Sequence, residues 1–247
     1  MKYLYLIIIS VLTLPVAAQE WQFSGQAPTL EEARQWQQQA ADNDKDLMLV
    51  LGATWCHDST ALLEQFNQTQ FREKLKQQYQ VQIVDISYFE RGYNLVQAYG
   101  EPIYYGTPTV MIIDGDSGNI KNFASWQHWT NASRHSAEEF EAYFIGKNFL
   151  TMTDEKLSEE HRQKLLAFKQ QQAKRIRAGY MWVAPHLKAY KKSAAKQPPQ
   201  SFIEKWMAVA KFRNQVHADI VAAYKKALAA PSKALELPSY DKKSWES

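Results

Sequence analysis

Five consecutive residues concentrate the chemistry of this chain: Trp55, Cys56, His57, Asp58 and Ser59, within the stretch GATWCHDSTALL at 52–63. Cys56 is the sole cysteine among 247 residues. No internal disulfide can form, so the thiol pairs with another molecule or stays free. Ser59 lies three positions on. If the segment is helical, that spacing puts its hydroxyl on the same side as the sulfur, where it can donate a hydrogen bond. A protonated His57 would favour the thiolate, and Asp58 would oppose it. Metal chemistry is not expected. Cys56 and His57 are adjacent, no cluster at ligand spacing accompanies them, and His128 and His135 are too far apart in sequence to count.

The elements that must position these residues are legible in the flanking pattern. DLMLVLGA at 46–53 is a continuous apolar run bounded by charge and glycine, which predicts a buried strand. Residues 57–66 predict a helix with Leu62, Leu63 and Phe66 as its apolar stripe, and 69–79 a second amphipathic helix. Before them, Thr29 is placed to cap a helix over 29–43, with Glu31 and Glu32 in its first turn. Strands are expected at 81–87 and 107–114, a short helix at 92–99, and a hairpin turn at 114–119. Ser136 and Glu139 form a capping box for a helix over 136–149. Strands and helices in this alternation predict an open α/β sheet.

Composition divides the chain near residue 150. Residues 1–150 carry 10 Lys/Arg and 17 Asp/Glu, a net of −7, while 151–247 carry 19 and 9, a net of +10. The second half reads as all-helical. A helix over 154–179 is expected to end at Gly179, followed by a segment broken at Pro185, a break at 196–201, and a long helix over 201–230. Phe202, Trp206, Val209, Phe212, Val216, Ile220 and Tyr224 keep helical spacing there, and 231–247 reads as a loose, flexible tail. The basic balance reflects lysines scattered round amphipathic helices, a solvated face, and no nucleic-acid partner is expected. At the other end, one lysine, an apolar run over 3–16 and the small residues Val16, Ala17 and Ala18 fit a signal peptide cleaved after Ala18. About 14 apolar residues fall short of the roughly 20 that span a bilayer, so no integral membrane segment is expected after its removal. The expected organisation is therefore a signal peptide at 1–18, an α/β domain at 19–150, a helical extension at 151–230 and a tail at 231–247.

ATWCHDS, following a buried strand and opening a helix, and GTPT, opening a strand about 50 residues later, resemble the thioredoxin family over roughly residues 20–150. WCHDS in particular is similar to a group of exported bacterial thioredoxin-like proteins. The resemblance implies a thioredoxin-like fold: a central mixed sheet flanked by helices, here with an all-α C-terminal extension. It places Trp55, Cys56 and Ser59 in the active-site turn and Thr107-Pro108, with a cis bond, in the facing loop. The helix start would then favour the Cys56 thiolate. The chain departs from the family at three positions. Ser59 replaces the resolving cysteine, Asp58 stands in place of proline, and Val50 replaces a buried acid. A dithiol cycle needs a second thiol to release the mixed disulfide, so that cycle is unavailable here. The resemblance then implies a monothiol protein, periplasmic or secreted and needing no cofactor. Cys56 and Ser59 would be its reacting pair, and Trp55, His57, Thr107 and Pro108 would face the substrate. Its clients would be proteins bearing thiols or disulfides, with a small-molecule thiol as a further partner. Plainer readings stay open. Cys56 can be an inert small residue, Ser59 a surface hydroxyl, His57 a solvated residue and Pro108 purely structural. The whole can then be a non-enzymatic binding module whose helical half docks a partner.

Overall fold

The computed structural model describes residues 20–25, 28–152 and 156–246; the expected signal peptide at 1–18 lies outside them. Strand β1 (Asp46–Gly52) is buried along its whole length. It pairs in parallel with β2 (Tyr79–Asp85) and antiparallel with β3 (Thr109–Ile113), in the order β2-β1-β3. A bridge from Ile113 to Ile120 continues the antiparallel side. Helix α2 (His57–Phe66) follows β1, and α3 (Thr69–Gln78) leads into β2. This is an α/β, thioredoxin-like fold with an all-α C-terminal region. Helix α1 (Leu30–Ala41) starts at the Thr29–Glu32 capping box, and α4 (Tyr93–Ala98) follows β2.

Because side chains alternate along a strand, β1 and β3 supply two cores. Met48, Val50, Val110 and Ile112 point into one, with Leu62, Phe66, Leu75, Trp129, Phe140 and Phe144. Leu47, Leu49, Leu51, Met111 and Ile113 point into the other, with Ala33, Ala40, Leu95, Val96, Phe89, Tyr104, Tyr105 and Trp126.

Three stretches of the body differ from the sequence expectation. Strand β2 begins two residues early, at Tyr79, whose hydroxyl donates to the Phe144 carbonyl at 2.6 Å. The chain then leaves the sheet through a turn in which Ser87 and Phe89 both have positive φ, at 53° and 62°, which is uncommon for residues with side chains. The helix expected over 136–149 is a short α5 (Ala137–Phe140), opened at its capping box, that widens into a π turn over Glu141–Ile145. Phe140, Tyr143 and Phe144 ring Trp129 at 4.5–5.0 Å, and this packing overrides a regular helical register. Residues 126–134, for which no element is expected, form a 3-10 segment that buries Trp126 and Trp129 completely.

The helical half departs further. Helix α6 (Glu159–Lys192) runs unbroken through both Gly179 and Pro185. Gly179 is not a terminator but a contact point. A Cβ there would sit 3.1 Å from both methyl carbons of Val209 and 3.2 Å from the Trp245 ring. Pro185 lies on the exposed side of the helix, where the carbonyl it leaves unpaired can meet water. Helix α7 (Gln200–Ala229) buries Phe202, Val209, Phe212, Val216, Ile220 and Tyr224, while Trp206 is half-buried. The stripe packs on α6 and on the α/β body. The Tyr180 ring stacks on Phe89 at 4.4 Å and 7°, and its hydroxyl donates to the Tyr104 carbonyl at 2.9 Å. His217 donates from Nε2 to the Phe123 carbonyl at 2.9 Å. Lys169 pairs with the buried Glu101. The segment 231–246, expected to be loose, is irregular but anchored. Leu235 and Trp245 are buried, Trp245 Nε1 donates to the Arg175 carbonyl at 3.0 Å, and Arg175 Nη2 meets Glu246 Oε2 at 3.0 Å. Trp245 packs against Gly179, and Tyr240 against Phe168 and Phe212, an effect that the segment's lysine-rich composition conceals.

Candidate functional site

Cys56 occupies the N-cap position of α2, with extended backbone (φ −92°, ψ 117°). The helix starts there because the apolar run of β1 ends at Gly52 and the backbone turns, Cys56 N donating to Ala53 O at 3.0 Å. Gly52 is required at this corner. An added Cβ would lie 2.3 Å from Phe23 and 2.9 Å from Ser59 Oγ, so only glycine lets both pack against the strand end.

The Thr107–Pro108 peptide is cis, and it faces the sulfur. The Cys56 thiol donates to the Thr107 carbonyl at 3.5 Å, across 51 positions of sequence. Ser59 lies beneath. It is fully buried, so the surface-hydroxyl reading fails, and its Oγ is 3.0 Å from Thr107 Oγ1. The expected donation from Ser59 to sulfur is thus replaced by a hydroxyl–hydroxyl bond that ties α2 to the loop before β3. Buried hydroxyls require such a partner. Val50, where the family has an acid, is wholly buried in hydrocarbon beside Val110, its partner in the β1–β3 register.

His57 is exposed. Asp58 turns away from the sulfur and accepts from Ser133, from its N at 3.1 Å and its Oγ at 2.7 Å. Trp55 is half-buried, its indole N–H donating to the Ser87 carbonyl at 2.7 Å, which accounts for the tight turn after β2. Its ring lies parallel to Tyr88 (6.1 Å, 7°) and meets the edge of Trp206 from α7 (6.1 Å, 88°). Trp206 was legible only as one member of an apolar stripe, and its place beside the thiol turn was not. Tyr104 and Tyr105 precede the cis bond. Burial holds both hydroxyls well above the ordinary tyrosine pKa, so they act only as neutral groups.

The structure brings Trp55, Cys56, Ser59, Thr107 and Pro108 together and leaves His57 at the rim. It also corrects the dismissal of His128 and His135. Their rings lie 4.0 Å apart, because the 3-10 segment curls back on itself before α5.

No protein-family model and no curated protein matches the chain. Among solved structures it is similar to the crystal structure of a disulphide isomerase from Xylella fastidiosa Temecula1, at 25% identity and a TM-score of 0.46, over 55% of this chain and 98% of that one.

Proposed function

We propose that the protein is an exported, monothiol member of the thioredoxin-like class, periplasmic or secreted, that forms mixed disulfides with client proteins. The observation that carries this reading is the Cys56 sulfur at a helix start, 3.5 Å from the Thr107 carbonyl beside Pro108. The thiolate attacks one sulfur of a client disulfide. The Cys56–client bond forms as the client S–S bond breaks, and the departing thiolate takes a proton from solvent. No second protein thiol follows, because Ser59 cannot accept the bond. A thiol of the client, or a small-molecule thiol, displaces Cys56. When a client thiol does so, no electrons are gained or lost overall, and the outcome is isomerisation or retention of the client. The backbone at Thr107 would hold the client strand by edge pairing. Trp55 and His57 would border the groove.

A second reading, a non-enzymatic binding module, is favoured by one observation: Cys56 is only 9% exposed. In that reading the helical half cannot dock a partner through its apolar stripe, which already faces the body. Two separate assays of purified, reduced protein distinguish the two: one sample is treated with oxidised glutathione, and another, its thiol left free, with scrambled ribonuclease. Wild type should take up one glutathione per chain and accelerate recovery of ribonuclease activity, and Cys56→Ser should do neither. Equal behaviour of the two proteins leaves only the scaffold.

A further inference from the structure

We propose that His128, His135 and Glu139 form a binding site for a divalent transition-metal ion, with Zn2+ the best match to the donor set. The ligand atoms of these three side chains all lie within 4.8 Å of one another, and among the described residues this is the one such His/Cys/Asp/Glu group. A tetrahedral ion with bonds of about 2.0–2.1 Å needs donors roughly 3.4 Å apart. His135 Nδ1 and Glu139 Oε1 already stand at 3.2 Å, and the exposed His128 has to close the remainder by side-chain rotation.

Hydrogen bonding orients two of the three ligands. His135 Nε2 is 3.2 Å from the His128 carbonyl and 3.2 Å from Asn131 Oδ1. A carbonyl only accepts, so Nε2 carries the proton and Nδ1 is the atom presented to Glu139. An imidazole whose other nitrogen donates to a backbone carbonyl is the usual support of a metal-bound histidine. Glu139 is fixed in the same way. Its Oε2 accepts from Ser136 N at 2.7 Å in the capping box, leaving Oε1 for the site. Buried Trp129 forms the floor, 4.9 Å from the His135 ring and 5.4 Å from the His128 ring.

With the proton on Nε2, the Nδ1 lone pair faces a carboxylate oxygen at 3.2 Å, a pair of acceptors that a divalent ion between them satisfies. Two imidazoles and one carboxylate suit Zn2+ better than Mg2+ or Ca2+, which prefer all-oxygen shells. Three protein ligands at the surface leave the fourth position to water.

The test is equilibrium dialysis and calorimetry of untagged protein with ZnCl2, near neutral pH and again under acidic conditions. Wild type should bind one equivalent, and acid should weaken binding as protons compete for the imidazoles. Glu139→Gln keeps the capping-box geometry while removing the charge, and His128→Ala alters an exposed side chain, so both should fold. Each should weaken binding tenfold or more, whereas Cys56→Ser should bind like wild type. Absence of saturable binding, wild-type affinity in the two site variants, or loss of binding in Cys56→Ser overturns the assignment.

Discussion

The two faces of the one sheet are closed in different ways. The face bearing Met48, Val50, Val110 and Ile112 is sealed by residues from Trp21 to Phe149, all from the α/β body. The face bearing Leu47, Leu49, Leu51, Met111 and Ile113 is covered first by α1, α4 and an aromatic layer, and that layer continues into Ile176, Tyr180, Val209, Phe212, Val216 and Ile220 of the helical half. A sheet of this kind is self-sufficient on one side only. The thiol turn sits at the edge where the two arrangements meet, with Trp55 on the Tyr88 ring of the body and against the Trp206 ring of α7.

The most damaging way to test this asymmetry is truncation after Leu150. That would bare Phe89, Tyr104, Tyr105, Phe123 and Trp126, all 6% exposed or less. A fully buried large apolar side chain contributes roughly 1.5–3 kcal/mol, so five rings rival a whole domain stability of roughly 5–15 kcal/mol. The shortened protein should aggregate or lose its cooperative melting transition. An unchanged Tm would show that both faces are closed locally.

Single core substitutions sharpen the contrast. Phe66→Ala on the self-sufficient face should cost about 3–5 kcal/mol, and Ile176→Ala in α6 about 2–5 kcal/mol. If the helices are one cooperative unit with the body, both variants should show a single urea transition by circular dichroism and by Cys56 alkylation alike. Separate transitions for Ile176→Ala would mean that the helical half unfolds on its own.

His217 supplies a pH lever on the same seam. Burial, followed by the weaker effect of Lys169, holds its pKa down to about 4 despite the Phe123 hydrogen bond, against 6.5 for an ordinary histidine. The folded pKa is depressed, so the fold favours the neutral ring. That contribution is complete above 6.5 and is lost as pH falls from 6.5 towards about 4. The loss should be on the order of 3 kcal/mol. His217→Gln, read by denaturant titration at each pH, should flatten the dependence in this window.

The smallest effect is expected at the thiol turn itself. Ser59→Ala leaves the buried Thr107 hydroxyl without its partner and should cost about 1–3 kcal/mol. Ser59→Cys should oxidise internally with Cys56 under mild oxidant, which thiol titration would register as loss of the free sulfhydryl. Failure to oxidise would mean that the residue below the sulfur cannot turn towards it.

What was legible in the sequence was local. The apolar run of β1, the Thr29 and Ser136 capping boxes and the start of α2 after Cys56 all lie in short windows, and the structure places them within a residue or two. The geometry of Cys56 with Thr107 could be anticipated only through the family resemblance, since no spacing rule links residues 51 positions apart. The misses arise where the surroundings override a local signal or where no local signal exists. Gly179 reads as a terminator but admits Val209 and Trp245. Pro185 reads as a breaker but faces solvent. The lysine-rich segment after Pro231 reads as loose but carries Tyr240 and Trp245 into a seam. The His128–His135 pair was missed because the 3-10 segment that folds it together has no periodicity to detect.

The aromatic layer also sets an order of events. Tyr180 reaches Tyr104 across 76 positions and His217 reaches Phe123 across 94, whereas β1 and α2 are neighbours in the chain. Closing long loops costs entropy before the contacts reward it, which slows that step relative to local pairing. Docking of the helices, like the antiparallel pairing of β1 with β3, is therefore slower than the local packing of α2 behind β1. Until the helices dock, the Trp206 ring that meets Trp55 is missing from the thiol turn. The turn that carries the thiol is thus completed by a residue 150 positions further along the chain than Cys56 itself.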